Sequence, residues 1–171
     1  LFVRFEPGSD HRQVKCEFEV AGVSPELAYR AAKESIGTKE FFGLGDRAVR
    51  TNSCLAVIYD HHTVQFQVLT CPRGVSDRSF VTICAAFADE MMLCNTSTDA
   101  LEDLVPVHTH LIRGVVKTHG IKFEPGKDEA SCKMTTFEHI VFGDNVPAQL
   151  VNLDFVTRHR AKGFRGMVKS I

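Results

Sequence analysis

The sequence has 171 residues, of which 44% are hydrophobic, and this is enough for one domain with a sizeable core. The formal net charge is −1, so no strong overall field attracts the chain to nucleic acid or to an anionic bilayer. No apolar run approaches the roughly 20 residues that span a membrane as a helix, and no basic segment followed by an apolar one marks a signal peptide. We therefore expect one soluble domain, with any charged docking surface confined to one region.

The six cysteines lie at positions 16, 54, 71, 84, 94 and 132 and form no Cys-x-x-Cys pair. Four of them lie in apolar strand-like runs, where a free cysteine usually behaves as a small buried hydrophobic residue. The pattern favours reduced thiols and a cytoplasmic location, and it predicts no structural metal. Because the chain begins with Leu1 rather than methionine, we expect a domain of a longer protein.

The first regular elements are predicted between residues 14 and 35. The stretch "VKCEFEV" alternates apolar and polar residues without exception, as a half-buried strand does. The stretch "SPELAYRAAKES" then offers Ser24 as an N-cap, Pro25 at the first helical position and Glu26 in the first turn. These residues predict a short helix after the first strand.

From Cys54 onward the sequence predicts strands joined by short turns. Polar residues, or proline and glycine, mark turns at residues 60–62, 88–90 and 125–128. Apolar runs lie between the turns and predict an antiparallel meander: "CLAVIYD", "TVQFQVLT", "SDRSFVTICAAF", "MMLCN", "VHTHLIRGVVKTHGIKF" and "ASCKMTTFEHIVF".

The last segment, residues 146–171, predicts a long amphipathic helix. Pro147 lies near its start, and one stripe of the helix is mainly apolar: Leu150, Leu153, Thr157, Ala161, Phe164 and Val168. One short helix, a run of strands and a long final helix indicate an α+β fold. We expect a curved antiparallel sheet wrapped around the C-terminal helix, with an internal apolar cavity between them.

Three stretches carry a resemblance to a known family. Residues 72–78 resemble the loop before the family's central strand, and Arg78-Ser79-Phe80-Val81 resembles the Arg-Asp-Phe-Val that begins that strand. "GDNVPAQLVN" resembles the start of the family's last helix, and "HLIRGVVKTHGIKFEP" resembles the strand pair before it. From Phe5 to Ile171 the chain resembles the START (steroidogenic acute regulatory protein-related lipid transfer) domains, as a divergent member. The resemblance implies a helix-grip fold in a single lipid-binding domain, residues 1–171, without the family's N-terminal helix.

The chain departs from the family at several positions. Ser79 replaces the family's aspartate, and the chain has no tryptophan. Sterol- and phospholipid-binding relatives often carry an arginine where this chain has Cys84, and some pair it with an acidic residue where it has Gln65. A buried charge needs a partner, and neither half of this pair is present. We therefore expect a cavity that is less polar than in those relatives, or one with its polar end elsewhere.

The orientation of Gln65 has two interpretations. Gln65 and Gln67 alternate with Val64, Phe66 and Val68, so apolar parity alone turns the glutamines towards solvent. The resemblance instead turns position 65 inward, and a β-bulge would reconcile the two.

The resemblance implies non-catalytic binding and intermembrane transfer of one lipid, such as a phospholipid or a sterol. The expected lipid-binding residues are Gln65, Arg78, Phe80, Thr82, Cys84, Leu150, Leu153 and Thr157. The turn of residues 71–77 is expected to act as a gate, through Pro72, Gly74, Ser76 and Asp77. We expect Arg78 to reach solvent or a carboxylate where the chain enters the sheet. We also expect a monomer that contacts membrane surfaces transiently, at most as a peripheral protein, binds no nucleic acid and needs no cofactor or metal.

Two other classes of protein fit the same fold. The inward residues around Cys84 could be packed core, and the domain would then be a regulatory or interaction module of a larger protein with a filled cavity. A polyketide cyclase-like enzyme would need an inward acid or base, which Gln65 and Cys84 do not supply. No nucleophile elbow is present, so hydrolysis is not expected.

Two groups of charged or metal-binding residues have ordinary explanations. His108 and His110 would fall on one face of a strand and could provide two metal ligands, but no third ligand lies at a suitable spacing. The cations between Arg158 and Lys169 form either a solvated helix face or a contact for anionic headgroups.

Overall fold

The computed structural model describes residues 2–5, 12–37, 49–59, 61–71, 73–99, 102–105, 110–128 and 130–143. The predicted C-terminal helix and the gate residue Pro72 lie outside these ranges. The described part contains nine strands, one α-helix, α1 (Pro25–Glu34), and one 3-10 turn (Glu102–Leu104). No described helix is long and apolar enough to cross a membrane.

The nine strands form one curved sheet. They are β1 (Phe2–Phe5), β2 (Arg12–Ala21), β3 (Val49–Tyr59), β4 (His62–Leu69), β5 (Arg78–Phe87), β6 (Met92–Ser97), β7 (Ile112–Arg113), β8 (Val115–Pro125) and β9 (Ser131–Val141). Their order across the sheet is β1-β2-β9-β8-β6-β5-β4-β3, and all these neighbours pair antiparallel. The short strand β7 pairs parallel with β5. Strands β3 to β6 are neighbours in both sequence and space, which confirms the predicted meander.

Helix α1 begins and ends as the sequence predicts. The Ser24 hydroxyl accepts a hydrogen bond from the Leu27 N–H at 3.3 Å, and Pro25 occupies the first helical position, where its missing N–H costs no hydrogen bond. The helix buries Ala28, Tyr29 and Ala32 against one face of the sheet. We call this face, which α1 covers at one end, the inner face.

Two apolar clusters lie on opposite faces of the sheet. The inner cluster joins α1 to residues of β5, β6, β8 and β9: Ala86, Leu93, Ile121, Phe123, Cys132 and Met134. The outer cluster joins β4 and β5 to the segment around the 3-10 turn: Val64, Phe66, Val68, Val81 and Val105. Strand β4 is therefore buried on both faces.

The burial of β4 corrects the expectation that the alternation of apolar residues turns Gln65 and Gln67 towards solvent. Gln65 and Gln67 are only 0% and 3% exposed, so neither side chain points to solvent. The alternation rule assumes that one face of a strand contacts solvent. Here Val105 and the other residues of the outer cluster cover the outer face of β4, so both faces are buried. The register between β4 and β5 is continuous, so no bulge is needed there. Irregularities occur instead between β3 and β4.

Candidate functional site

The inner face of β4 and β5 brings together four of the predicted lipid-binding residues. Phe80, Thr82 and Cys84 are alternate residues of β5 and therefore point to one face, and all three are buried. Gln65 lies opposite Thr82 in the neighbouring strand. This is the face that carries Ala86 and the inner cluster. The predicted residues Leu150, Leu153 and Thr157 lie outside the described ranges.

A line of uncharged hydrogen bonds runs along the inner side of β4. The Gln67 amide donates to Gln65 Oε1, and the Gln65 amide donates to Thr63 Oγ1, each at 3.3 Å. These bonds hold two buried amides in fixed orientations without a charged partner. The part of the site around Gln65 is therefore polar but neutral.

Cys84, one of the predicted site residues, has a thiol with a strongly raised pKa. Burial raises the pKa of Cys84 to about 12, and the neighbouring Cys94 adds to the increase, while a hydrogen bond with Gln65 opposes it. The thiol is therefore neutral over the physiological range. It behaves as a small apolar group rather than as a nucleophile.

This raised pKa predicts a pH dependence of stability. Above the ordinary thiol pKa of 9.0, the unfolded chain loses the Cys84 proton while the folded chain keeps it up to about pH 12. The stabilisation is thus complete below pH 9 and falls as the pH rises, by up to about 1.4 kcal/mol per pH unit. Urea denaturation at pH 8 and pH 10 should show a steeper loss for the wild type than for Cys84→Ala. Equal slopes would contradict the raised pKa.

Arg78 connects the predicted gate to the end of β9. Its side chain is 0% exposed, so Arg78 does not reach solvent, and its predicted contact with a carboxylate stays a prediction. The guanidinium Nε donates to the Phe142 carbonyl at 2.9 Å, and a second N–H donates to the Ser76 carbonyl. A planar group with several donors can satisfy carbonyls from two segments at once. Arg78 therefore fixes the turn of residues 71–77 against the residue that follows β9.

The predicted gate turn, residues 71–77, is held by polar contacts of Asp77, and residues between its two ends are exposed. Asp77 accepts a hydrogen bond from the Cys71 N–H at 2.9 Å and lies 3.7 Å from a guanidinium nitrogen of Arg50. Gly74 is exposed and has a φ of +91°, a backbone conformation that strongly favours glycine. Ser76 is also exposed.

A row of polar residues crosses the middle of the inner face and was missed in the sequence. In the strand register, Glu138 of β9 lies opposite His119 of β8, His119 opposite Asn95 of β6, Asn95 opposite Cys84, and Cys84 opposite Thr63. We call Glu138, His119 and Asn95 the polar row, and Cys84 and Thr63 continue the same line onto β5 and β4. Glu138, His119 and Asn95 are buried, and His119 Nδ1 lies 2.8 Å from Asn95 Oδ1.

The phase of the apolar residues could have revealed that Asn95, His119 and Glu138 point inward. Asn95 is two residues from Leu93, and His119 is two residues from Ile121, so each shares the face of a buried apolar neighbour. Glu138 is likewise in phase with Met134. A polar residue at an inward position of a strand is informative because it needs a buried partner.

Metal binding receives no support from the described residues. Within the described ranges, no group of three or more His, Cys, Asp or Glu side chains is placed to hold a metal ion. His110 lies in an exposed turn before β7 rather than in a strand, so the prediction that it shares a strand face with His108 is wrong. His108 itself lies outside the described ranges.

Comparison with solved structures identifies lipid-transfer proteins and an enzyme of similar fold. Human STARD10 aligns with a TM-score of 0.79 and 18% identity, over 98% of this chain and 68% of the solved chain. Human StAR-related lipid transfer protein 5 aligns with a TM-score of 0.75 and 17% identity, over 99% and 79%. The Zhui aromatase/cyclase from Streptomyces sp. R1128 aligns with a TM-score of 0.57 and 8% identity, over 92% and 93%. No protein-family model and no curated protein sequence matches the chain.

At these identities the likeness establishes the fold alone. The described sheet and the short helix on its inner face agree with the predicted resemblance. The chain therefore has the fold of the START domains.

Proposed function

We propose that this chain binds a single lipid between the inner face of its sheet and a long C-terminal helix, and that it transfers the lipid between membranes without catalysing a reaction. The observation that carries the proposal is that Gln65, Phe80, Thr82 and Cys84 lie together on the inner face of β4 and β5 as a patch without charged side chains. These residues belong to neither of the two described apolar clusters. The inner face thus extends beyond the part that α1 fills. The shared fold with proteins named for lipid transfer supports a lipid as the occupant.

Affinity in this proposal comes mainly from the lipid tail. Each buried methylene contributes about 0.8 kcal/mol, so an apolar tunnel binds a tail without any charged clamp. Phe80 and the neutral thiol of Cys84 supply apolar wall on β5, and Gln65 and Thr82 supply uncharged polar contacts beside it. Leu150, Leu153 and Thr157 form the opposite wall on the proposed helix.

Release in this proposal requires movement of the gate turn. Proline and glycine are typical turn residues, so Pro72 and Gly74 are the proposed hinge. Ser76 and Asp77 connect the turn to β5. Arg78 links the turn to the Phe142 carbonyl, just before the segment that contains the proposed helix. Movement of the turn and movement of the helix start are therefore coupled through one side chain.

Native mass spectrometry of the purified domain tests the proposal directly. We expect a lipid to co-purify at one molecule per chain, and we expect the protein to speed transfer of a labelled lipid between donor and acceptor liposomes. A ligand-free protein that neither binds nor transfers lipid would instead favour a regulatory module with a filled cavity.

A cyclase-like enzyme is the second candidate, and the polar row favours it. His119 and Glu138 are buried opposite each other on the inner face and could serve as an acid and a base. Incubation with a synthetic poly-β-ketone thioester distinguishes the two functions. The lipid-transfer proposal expects no cyclised product, whereas turnover that is lost in His119→Gln would favour the enzyme.

A further inference from the structure

Three buried hydroxyl groups have no hydrogen-bond partner within the described part of the chain. They are Tyr29 Oη, Thr82 Oγ1 and Thr136 Oγ1, and their residues are 8%, 0% and 2% exposed. Burial of a hydroxyl group without a partner is unfavourable, and such groups are rare in folded proteins. The hydroxyls therefore mark a place where a bound molecule can supply hydrogen bonds.

Two of these hydroxyls lie beside the polar row. Thr136 is two residues before Glu138 on β9 and shares its face of the sheet. Tyr29 projects from α1, and its ring meets the Phe123 ring edge-on, with centroids 6.1 Å apart. Phe123 lies on β8 four residues after His119 and on the same face, so the Tyr29 ring packs on the strand that carries His119.

The row itself offers both donors and acceptors. The contact of 2.8 Å between His119 Nδ1 and Asn95 Oδ1 holds the ring and the amide in a fixed mutual orientation. The amide group of Asn95 also carries two N–H donors. Glu138 adds a carboxyl group directly opposite His119 in the register. A ligand group that both donates and accepts hydrogen bonds matches these side chains and the two hydroxyls.

The distribution of charge favours an uncharged ligand group over a phosphate. Among the residues whose side-chain burial the structure describes, Arg78 is the only buried lysine or arginine, and its guanidinium donates to two main-chain carbonyls. A phosphate at the polar row would instead lie near the carboxyl group of Glu138. Burial of an anionic phosphate is strongly unfavourable without a cationic partner.

We propose that Tyr29, Thr136 and the polar row bind the polar end of an uncharged lipid that carries a hydroxyl or amide group, with the acyl chains on the β4 and β5 side of the inner face. This inference rests on the proposed lipid-binding function and adds the class of lipid. It places the polar end of the ligand against β6, β8, β9 and α1 rather than against Gln65 and Cys84.

Two probes that differ only in a phosphate test the proposal. Diacylglycerol and phosphatidic acid, each with the same NBD-labelled acyl chain, are titrated with the purified domain, and NBD fluorescence reports binding. We expect diacylglycerol to bind at least about tenfold more tightly, because it has a hydroxyl where phosphatidic acid has an anionic phosphate. We expect Glu138→Gln to raise the affinity for phosphatidic acid.

Substitutions that remove one hydroxyl with little change in shape test the individual contacts. Thr136→Val and Tyr29→Phe should each weaken diacylglycerol binding about 2- to 10-fold. Thr135→Val is the matched control, because Thr135 is the neighbouring residue on β9 and points to the other face. Tyr59→Phe is the second control, because Tyr59 is exposed and is the only other tyrosine of the chain. Thermal melting of each variant verifies that it is folded.

The outcomes separate this inference from the proposed function. If neither probe binds to the wild-type domain, the proposed lipid binding is wrong and the inference fails with it. If both probes bind equally well, or if Thr136→Val and Tyr29→Phe behave like their controls, lipid binding stands and the assignment of the polar end is wrong.

Discussion

Replacement of Arg78 by methionine is expected to lower the free energy of unfolding by about 2–4 kcal/mol. Methionine fills much of the same space but donates no hydrogen bond, so the carbonyls of Ser76 and Phe142 lose the donors that the guanidinium supplies. Arg78 is completely buried, so water does not readily replace them. Urea denaturation at neutral pH, followed by circular dichroism, measures the change.

Arg73→Met is the matched control for this experiment. Arg73 lies in the same turn, but its side chain is exposed, and the same substitution there should change stability by less than about 0.5 kcal/mol. If the two variants have the same stability, the carbonyl contacts of Arg78 contribute nothing and the turn is held in another way.

Cys84→Trp is expected to abolish lipid binding and to leave the domain folded. Cys84 points to the inner face and lies in neither described apolar cluster, so in the proposed function the indole occupies space that otherwise holds the lipid. In a packed core the same change would overpack the interior and cost about 1–3 kcal/mol or more. Titration with an NBD-labelled lipid and thermal melting of the same sample measure both effects.

Cys54→Trp is the control, because Cys54 is exposed on β3, and it should affect neither lipid binding nor the melting temperature. Two results would place Cys84 outside a ligand cavity. One is a large drop in the melting temperature of Cys84→Trp, and the other is lipid binding of unchanged affinity in that variant.

Local sequence features predicted the elements that depend on neighbouring residues. Helix α1 follows from the Ser24 cap and Pro25, and both act within one helical turn. The turn after β8 follows from its proline and glycine, and β8 and β9 flank it as predicted. These features need no knowledge of the remaining chain, which is why the sequence was sufficient.

The buried glutamines and the polar row depend on distant parts of the chain. Gln65 and Gln67 point to the inner face because Val105, about 40 residues later, packs with Val64, Phe66 and Val68 on the outer face. Glu138, His119 and Asn95 meet only because β6 pairs with β8 and β8 pairs with β9 in one particular register. A shift of that register by one residue would turn these side chains to the opposite face, and no local pattern determines it.

The polar row also bears on how such a domain can change during evolution. Each of its three side chains comes from a different strand, whereas main-chain hydrogen bonds hold the strands together. If the proposed lipid site is correct, a point substitution in the row changes one contact with the lipid and leaves the strand pairing intact. An inserted residue in one of these strands turns the later side chains of that strand to the other face. Ligand preference can therefore diverge among relatives one residue at a time, while changes of length are confined to the turns.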